Sequence, residues 1–297
     1  MTCVTSGPEL AAVTAQTIGC GGRATLWADQ RTPRRTVKYS VKVSTFETAG
    51  PFSDEHIDDI RLAKAPLARV LAQLRFPGAM SSLQFTADPV IASLAGPLSG
   101  IGYPLLEEGR QFVLQITPDG VTQQEQSGKL WTFRSGDRAW QVTLTPEFVT
   151  LDTSAYTNRE EFLTRLSSVV EVLGAVVQPP GVNRVGFRYI NQVKGLSTTE
   201  LQSIVRHELL GGLAVPEGNA RLICGVSEAT FSFDPLDMPG AVSDGLQARW
   251  GKMPPGMVLD PSMKPTSEAT WLLDIDSFRH VDFAFQGDPV IEQVQDL

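Results

Sequence analysis

Residues 157–191 read TNREEFLTRLSSVVEVLGAVVQPPGVNRVGFRYIN, and they hold the two patterns that decide the fold. Thr157 with Glu160 three residues later has capping-box spacing, so a helix is expected to start at Thr157. Phe162, Leu166, Val169, Val170, Leu173 and Val177 then recur at steps of three and four, giving one apolar stripe suited to packing on a sheet. Pro179 and Pro180 end the helix. Val185, Phe187 and Tyr189 alternate with polar neighbours, the period of a half-buried strand. A one-sided helix followed by a one-sided strand implies a helix layer on one face of a sheet.

The same pattern extends in both directions. Downstream, Ser197 and Glu200 form a second capping box ahead of Leu201, Ile204, Val205 and Leu209, with Gly211 and Gly212 to close that helix. Alternating groups follow at Leu222, Cys224 and Val226, at Phe231 and Phe233, at Leu246, Ala248 and Trp250, at Trp271, Leu273 and Ile275, and at Val281, Phe283 and Phe285. Cys224, between two apolar neighbours of one face, reads as a small buried residue. Upstream, Val37, Tyr39, Val41 and Val43 alternate, as do Val70, Ala72, Leu74 and Phe76 before the stop at Pro77-Gly78. Residues 81–108 carry Pro89, Gly96, Pro97, Gly100, Gly102 and Pro104, so only short helical pieces in a loop-rich cap are expected there. A meander follows through Phe112–Ile116, Trp131–Phe133, Trp140–Leu144 and Phe148–Leu151, with Pro118-Asp119-Gly120 and Ser135-Gly136-Asp137 as turns.

Strands joined by short turns with few helices between them give an α+β class: antiparallel meanders with helices packed on one face. The order also fits two similar halves divided near Gly195. The expected organisation is a flexible lead-in over residues 1–36, a first α+β part over 37–195 and a second over 196–297.

Composition narrows the function classes. The chain has 297 residues, 42% hydrophobic and 20% charged, with a formal net charge of -8, an ordinary globular balance. An acidic chain lacks the broad basic footprint of non-specific phosphate binding, so nucleic acid is a disfavoured partner. Cys3, Cys20 and Cys224 are too scattered for a zinc set or a disulfide frame, which fits a reducing, cytoplasmic setting. No stretch approaches the roughly 18 apolar residues of a membrane span.

Leu62-Ala63-Lys64-Ala65-Pro66-Leu67, Gln73-Leu74-Arg75-Phe76, Trp140-Gln141-Val142-Thr143-Leu144-Thr145-Pro146, Tyr156, Gly186-Phe187-Arg188-Tyr189-Ile190-Asn191 and Leu273-Asp274-Ile275-Asp276 occur in this order. Over residues 60–285 the chain thereby resembles a sporadically distributed family of uncharacterised bacterial proteins. That resemblance implies no activity or site residues. It implies a setting among mobile or defence-associated genes. The chain departs from the family in its long lead-in and in ending soon after the last strand, where such proteins continue into a helix.

Two constellations carry chemistry. Asp274 and Asp276 fall on one face of a strand, with His280 and Asp282 nearby, and such a carboxylate pair could hold Mg²⁺ for phosphoester chemistry. The competing reading is that Trp271, Leu273 and Ile275 face the core while the aspartates face water. Arg184, Arg188, Tyr189 and Asn191 mix cations and an aromatic ring as single-strand platforms do. Against this, Val185, Phe187 and Tyr189 can face inward with the arginines outward and paired to carboxylates. No Gly-x-Ser-x-Gly elbow accompanies His56, His207 or His280. The sequence thus favours a non-enzymatic binding or regulatory protein with a protein partner or a second copy. A metal-dependent phosphoesterase or nuclease and a weak nucleic-acid binder are the alternatives, and Mg²⁺ enters only under the first of them.

Residues 1–36 offer too few periodic apolar groups to offset an ordering cost of roughly 1–2 kcal/mol per residue. Limited trypsin digestion is therefore expected to cut first after Arg23, Arg31, Arg34 or Arg35, and the remaining core should melt at the temperature of the full chain.

Overall fold

The computed structural model describes residues 65–78, 88–117, 120–215, 218, 221–234, 242–260 and 263–297. The expectations for the lead-in, for the strand at Val37 and for Pro118-Asp119 fall outside the described residues. Among the described residues nine strands form one sheet: β1 (Leu67–Arg75), β2 (Leu105–Thr117), β3 (Gly120–Arg134), β4 (Trp140–Leu144), β5 (Phe148–Thr153), β6 (Val182–Lys194), β7 (Gly225–Ser232), β8 (Asp244–Met253) and β9 (Thr270–Phe283). Their order across the sheet is β2-β3-β4-β5-β1-β6-β9-β8-β7. Every described register is antiparallel. Four α-helices complete the described fold: α1 (Asp88–Gly100), α2 (Arg159–Val176), α3 (Thr198–Ile204) and α4 (Gly287–Gln295). The class is α+β on antiparallel sheet, as the alternation implied.

Registers show which side chains share a face, because directly paired residues point the same way and alternation does the rest. Val70, Ala72 and Leu74 of β1 pair with Thr153, Leu151 and Val149 of β5 and with Tyr189, Phe187 and Val185 of β6. This face meets Ile91, Leu94 and Leu98 of α1, the stripe Phe162, Leu166, Val169, Val170 and Leu173 of α2, and Val290 and Val294 of α4. Its centre is aromatic: Phe162 packs on Trp140 and Phe187, and Phe187 on Tyr189. Further along the same face, Trp271 with Val193, Trp250 and Leu273 meets Leu201, Leu210 and Leu213. The helix layer covers one face, and the other face is left to polar chemistry.

The chain takes a similar path twice. β1-α1-β2-β3-β4-β5-α2 is followed by β6-α3-β7-β8-β9-α4. In each pass the last strand returns to the first, β5 to β1 and β9 to β6, and the two first strands pair at the centre. The second pass opens at β6, and Gly195 stands at the far end of that strand.

Local departures have local causes. The cap of α2 is Asn158, one residue beyond Thr157: its side chain accepts a hydrogen bond from the Glu161 N–H at 2.8 Å, and Asn is among the strongest N-caps. Residues 88–100 form a single helix through Pro97. The proline sits in the last turn, where its cost of roughly 3 kcal/mol is offset by burial of Ile91, Leu94 and Leu98 at roughly 1.5–3 kcal/mol each. The Ser197–Glu200 capping box forms, but α3 stops at Ile204 and gives way to 3₁₀ turns at His207–Leu209 and Gly211–Ala214, which deliver Leu210 and Leu213 to Trp271. A helix, α4, does follow the last strand, and Arg159 of α2 donates to the Val294 and Gln295 carbonyls at its end, both at 2.9 Å. Cys224 precedes β7 and is exposed, because the strand starts only at Gly225.

Phe162→Ala is expected to cost about 3–5 kcal/mol and Asn158→Ala about 1 kcal/mol in chemical denaturation. An Asn158→Ala chain as stable as the wild type would show that Asn158 is not the cap.

Candidate functional site

The face turned away from the helices collects the charged candidates. Arg184, Gly186, Arg188 and Ile190 of β6 stand opposite His280, Phe278, Asp276 and Asp274 of β9, and Arg249 and Gln247 of β8 stand opposite Asp274 and Asp276. Asp274 is 2% exposed and lies between two guanidiniums. Arg188 Nε and Nη2 donate to its Oδ1 and Oδ2 at 2.6 and 2.8 Å, while Arg249 Nε and Nη2 donate to Oδ2 at 3.1 and 2.6 Å. Three of these bonds converge on Oδ2 and one on Oδ1, so two guanidiniums share the one carboxylate. The remaining amine of Arg188, Nη1, meets Asp260 at 2.8 Å, on the connection between β8 and β9.

A second pair lies beside it. Arg184 reaches past Gly186 to donate to Asp276 at 2.9 Å, and its guanidinium lies 4.8 Å from the centre of the Phe278 ring. A Cβ on Gly186 would lie 2.8 Å from Arg184 Nη1 and 3.2 Å from Asp276 Oδ1, so a larger residue would make these two side chains shift.

The first pass of the chain repeats the motif. Arg69 of β1 donates through Nε and Nη2 to Asp152 of β5 at 3.0 and 2.7 Å, and Gln141 of β4 donates to the other carboxylate oxygen at 2.7 Å. Asp152 stands opposite Leu71 as Asp274 stands opposite Ile190, each two residues beyond its arginine, and Gln141 faces Asp152 as Arg249 faces Asp274. Arg69 pairs with Ile190 and Leu71 with Arg188 about the pair Val70–Tyr189, which places a local two-fold axis there. The residue-level correspondence is therefore Arg69 to Arg188, Asp152 to Asp274 and Gln141 to Arg249.

Burial sets the electrostatics. It raises the Asp152 carboxyl above its ordinary value against the pull of Arg69 and Gln141, and it raises Asp276 against that of Arg184. Burial opposes the charge of Arg188, yet the hydrogen bonds and attraction of Asp274, joined by Asp260 and Asp276, outweigh it and hold the guanidinium protonated.

The sequence-derived constellations are thus redistributed. Asp274 and Asp276 share a face as expected, but they face arginines rather than water or an open metal position. His280 and Asp282 are exposed near the end of β9. Arg184 and Arg188 belong to the same network as the aspartates. Tyr189 and Asn191 lie on the opposite face, where Tyr189 packs against Tyr156 and Phe187. Among the described residues no three His, Cys, Asp or Glu side chains converge as metal ligands, and no helix is long and apolar enough to cross a membrane.

No family model, curated protein or solved structure matches the chain.

Sequence reasoning passed over Arg249, Asp260, Arg69, Asp152 and Gln141. Arg249 was within reach, since it sits between the apolar Ala248 and Trp250 and so points to the polar face. Asp260 carries no periodic signal, because it lies in a connection.

Asp274→Asn removes the carboxylate that Arg188 and Arg249 share, leaving only Asp260 against the two guanidiniums, and is expected to cost about 3–5 kcal/mol. A metal site would respond in the opposite sense, gaining stability when carboxylate repulsion is relieved. Asp276→Asn, with one partner and a side chain 22% exposed, should cost less, and its cost depends on pH. Because folding raises the carboxyl pKa, the stability that Asp276 contributes is full below its unfolded value and fades as pH rises through the raised folded value. Urea titrations at stepped pH should show the gap between wild type and Asp276→Asn narrowing as pH rises through the acid range.

Proposed function

We propose that this chain is a non-enzymatic binding or regulatory protein of the cytoplasm that engages a protein partner or a second copy of itself. What carries the reading is the commitment of the reactive groups. Asp274 is bound by two arginines, Asp276 and Asp152 are each bound by one, and the arginines that a phosphate would need are neutralised in place. These groups tie strands together. The apolar exposure lies elsewhere, at the end of the sheet formed by β7: Ile223 is 55% and Val226 41% exposed, and Val215, after the 3₁₀ turn that packs on β7, is 64% exposed. Exposed apolar groups gathered at one edge favour an interaction surface. The sequence resemblance supports a setting in a bacterial defence or mobile-element system.

Light scattering over a concentration series is expected to show a mass above that of the monomer for the wild type. The Ile223→Lys, Val226→Lys double variant should stay monomeric with an unchanged melting temperature. A wild type that remains monomeric throughout would remove the self-association form of the reading. Mg²⁺- or Mn²⁺-dependent cleavage of a phosphodiester, lost in Asp276→Asn, would overturn the non-enzymatic reading itself.

A further inference from the structure

β7 stands at the end of the sheet, and among the described residues it pairs with β8 alone. The register runs from Gly225 opposite Lys252 to Ser232 opposite Gly245 without a shift. One rung further, the Phe233 N–H donates to the Asp244 carbonyl at 2.8 Å, which marks a hydrogen-bonded pair. Such pairs alternate along an antiparallel ladder, so Phe231, Ala229 and Ser227 turn their backbone groups toward β8. Ser232, Thr230, Glu228 and Val226 turn theirs outward, and all four residues are exposed. The strand carries none of the devices that blunt an edge, having no proline, no lysine and no bulge. Its one charged side chain, Glu228, is held toward β8 by Gln247, whose amide donates to Oε1 at 2.6 Å. β2, at the other end of the sheet, carries Glu107, Glu108 and Arg110.

We propose that β7 pairs antiparallel with β7 of a second copy about a two-fold axis at Ala229, so that one sheet runs through both chains. Outward-turned residues have to meet one another, which requires the axis to pass through a self-paired residue. At Glu228 it would set two carboxylates directly opposite, a destabilising pair. At Thr230 it would set the apolar Val226 against Asp234, beyond the end of the strand. At Ala229 the pairing uses all of Val226–Ser232: Val226 meets Ser232, Ser227 meets Phe231, and Glu228 meets Thr230, in each direction. Ala229 meets its own copy, which puts the smallest side chain of the stretch where the two backbones come closest. The four outward residues of each strand then close about eight backbone hydrogen bonds. The chain already makes this kind of contact within itself, since the equivalent strands β1 and β6 pair antiparallel about Val70 and Tyr189. Self-pairing consumes the β7 edge of both copies, so the assembly closes as a dimer. This inference rests on the self-association form of the reading above and gives its geometry.

Single cysteines, placed in a full chain whose Cys3, Cys20 and Cys224 are replaced by Ser, read the register. Ala229→Cys brings two Cα atoms to about 4.5 Å, within the span of a disulfide. Under mild oxidation it should form a linked dimer about tenfold faster than Glu228→Cys or Thr230→Cys, whose copies stand two residues out of step and roughly 8 Å apart, too far to bridge. Thr230→Pro removes an outward N–H and leaves the ladder to β8 intact. It should keep the circular dichroism of the wild type and scatter light as a monomer at concentrations where the wild type is a dimer. Cross-linking no faster at position 229 than at 228 or 230 would overturn the proposal, and so would a folded Thr230→Pro chain that still dimerises. Should Thr230→Pro not fold, the cysteine series decides by itself. A wild type that associates while both edge tests fail refutes this edge and leaves the binding-protein reading in place. Phosphodiester cleavage by the linked dimer would do the reverse.

Discussion

Asp274 is the point on which the second half of the sheet turns. Its carboxylate sits on β9 and is gripped from β6 by Arg188 and from β8 by Arg249, so one side chain fixes the register of three strands at once. A shift of one residue in β9 would carry Asp274 to the face covered by helices and take from Arg188 and Arg249 the carboxylate they share. Net gain in stability is not the main consequence of such an arrangement, since desolvation consumes much of the Coulomb energy. What it supplies is a large penalty on the registers that part the aspartate from its arginines. The apolar face alone discriminates less among slips of two residues, because Leu273, Ile275 and Trp271 could exchange places with modest repacking.

The division of labour between the faces follows from this. The helix face is built from interchangeable apolar contacts, with α1, α2 and α4 over β1, β4, β5 and β6 and the short α3 with its 3₁₀ turns over Trp271 and Trp250. It provides bulk stabilisation. The opposite face is built from directional contacts, with Arg69, Arg188 and Arg249 each committed through two or more nitrogens. Gly186 shows how closely that face is fitted, since one added carbon would press on the ends of Arg184 and Asp276.

Much of this was legible in the sequence, and the limits have physical causes. Alternation in Val70–Phe76, Trp140–Leu144, Val185–Tyr189 and Trp271–Ile275, together with the stripe from Phe162 to Leu173, sufficed for the class and for the helix-covered face. Alternation assigns a residue to a face and says nothing of which strand lies beside it. Arg188 and Asp274 therefore read as parts of two separate constellations, although they are one ion pair. Tyr189 was grouped with Arg188 through adjacency in the chain, and adjacency in a strand is what places them on opposite faces. The shift of the α2 cap from Thr157 to Asn158 reflects two good capping residues in a row, and the intact helix at Pro97 reflects tertiary burial overriding a local breaker.

The local two-fold about Val70 and Tyr189 connects topology to chemistry. Equivalent strands that pair antiparallel at the centre of a sheet repeat their side chains on the same face, so one hub of arginine, aspartate and a third donor recurs on either side of the axis. Repetition makes difference informative. At the third position the first hub has Gln141 and the second has Arg249, a change that adds one charge without altering the strand geometry. A buried excess charge has to be answered, and the answer comes from outside the sheet, in Asp260 on the connection between β8 and β9. The symmetric part of the molecule is thus its frame. The symmetry fails at Arg188, where a carboxylate from a connection completes the second hub.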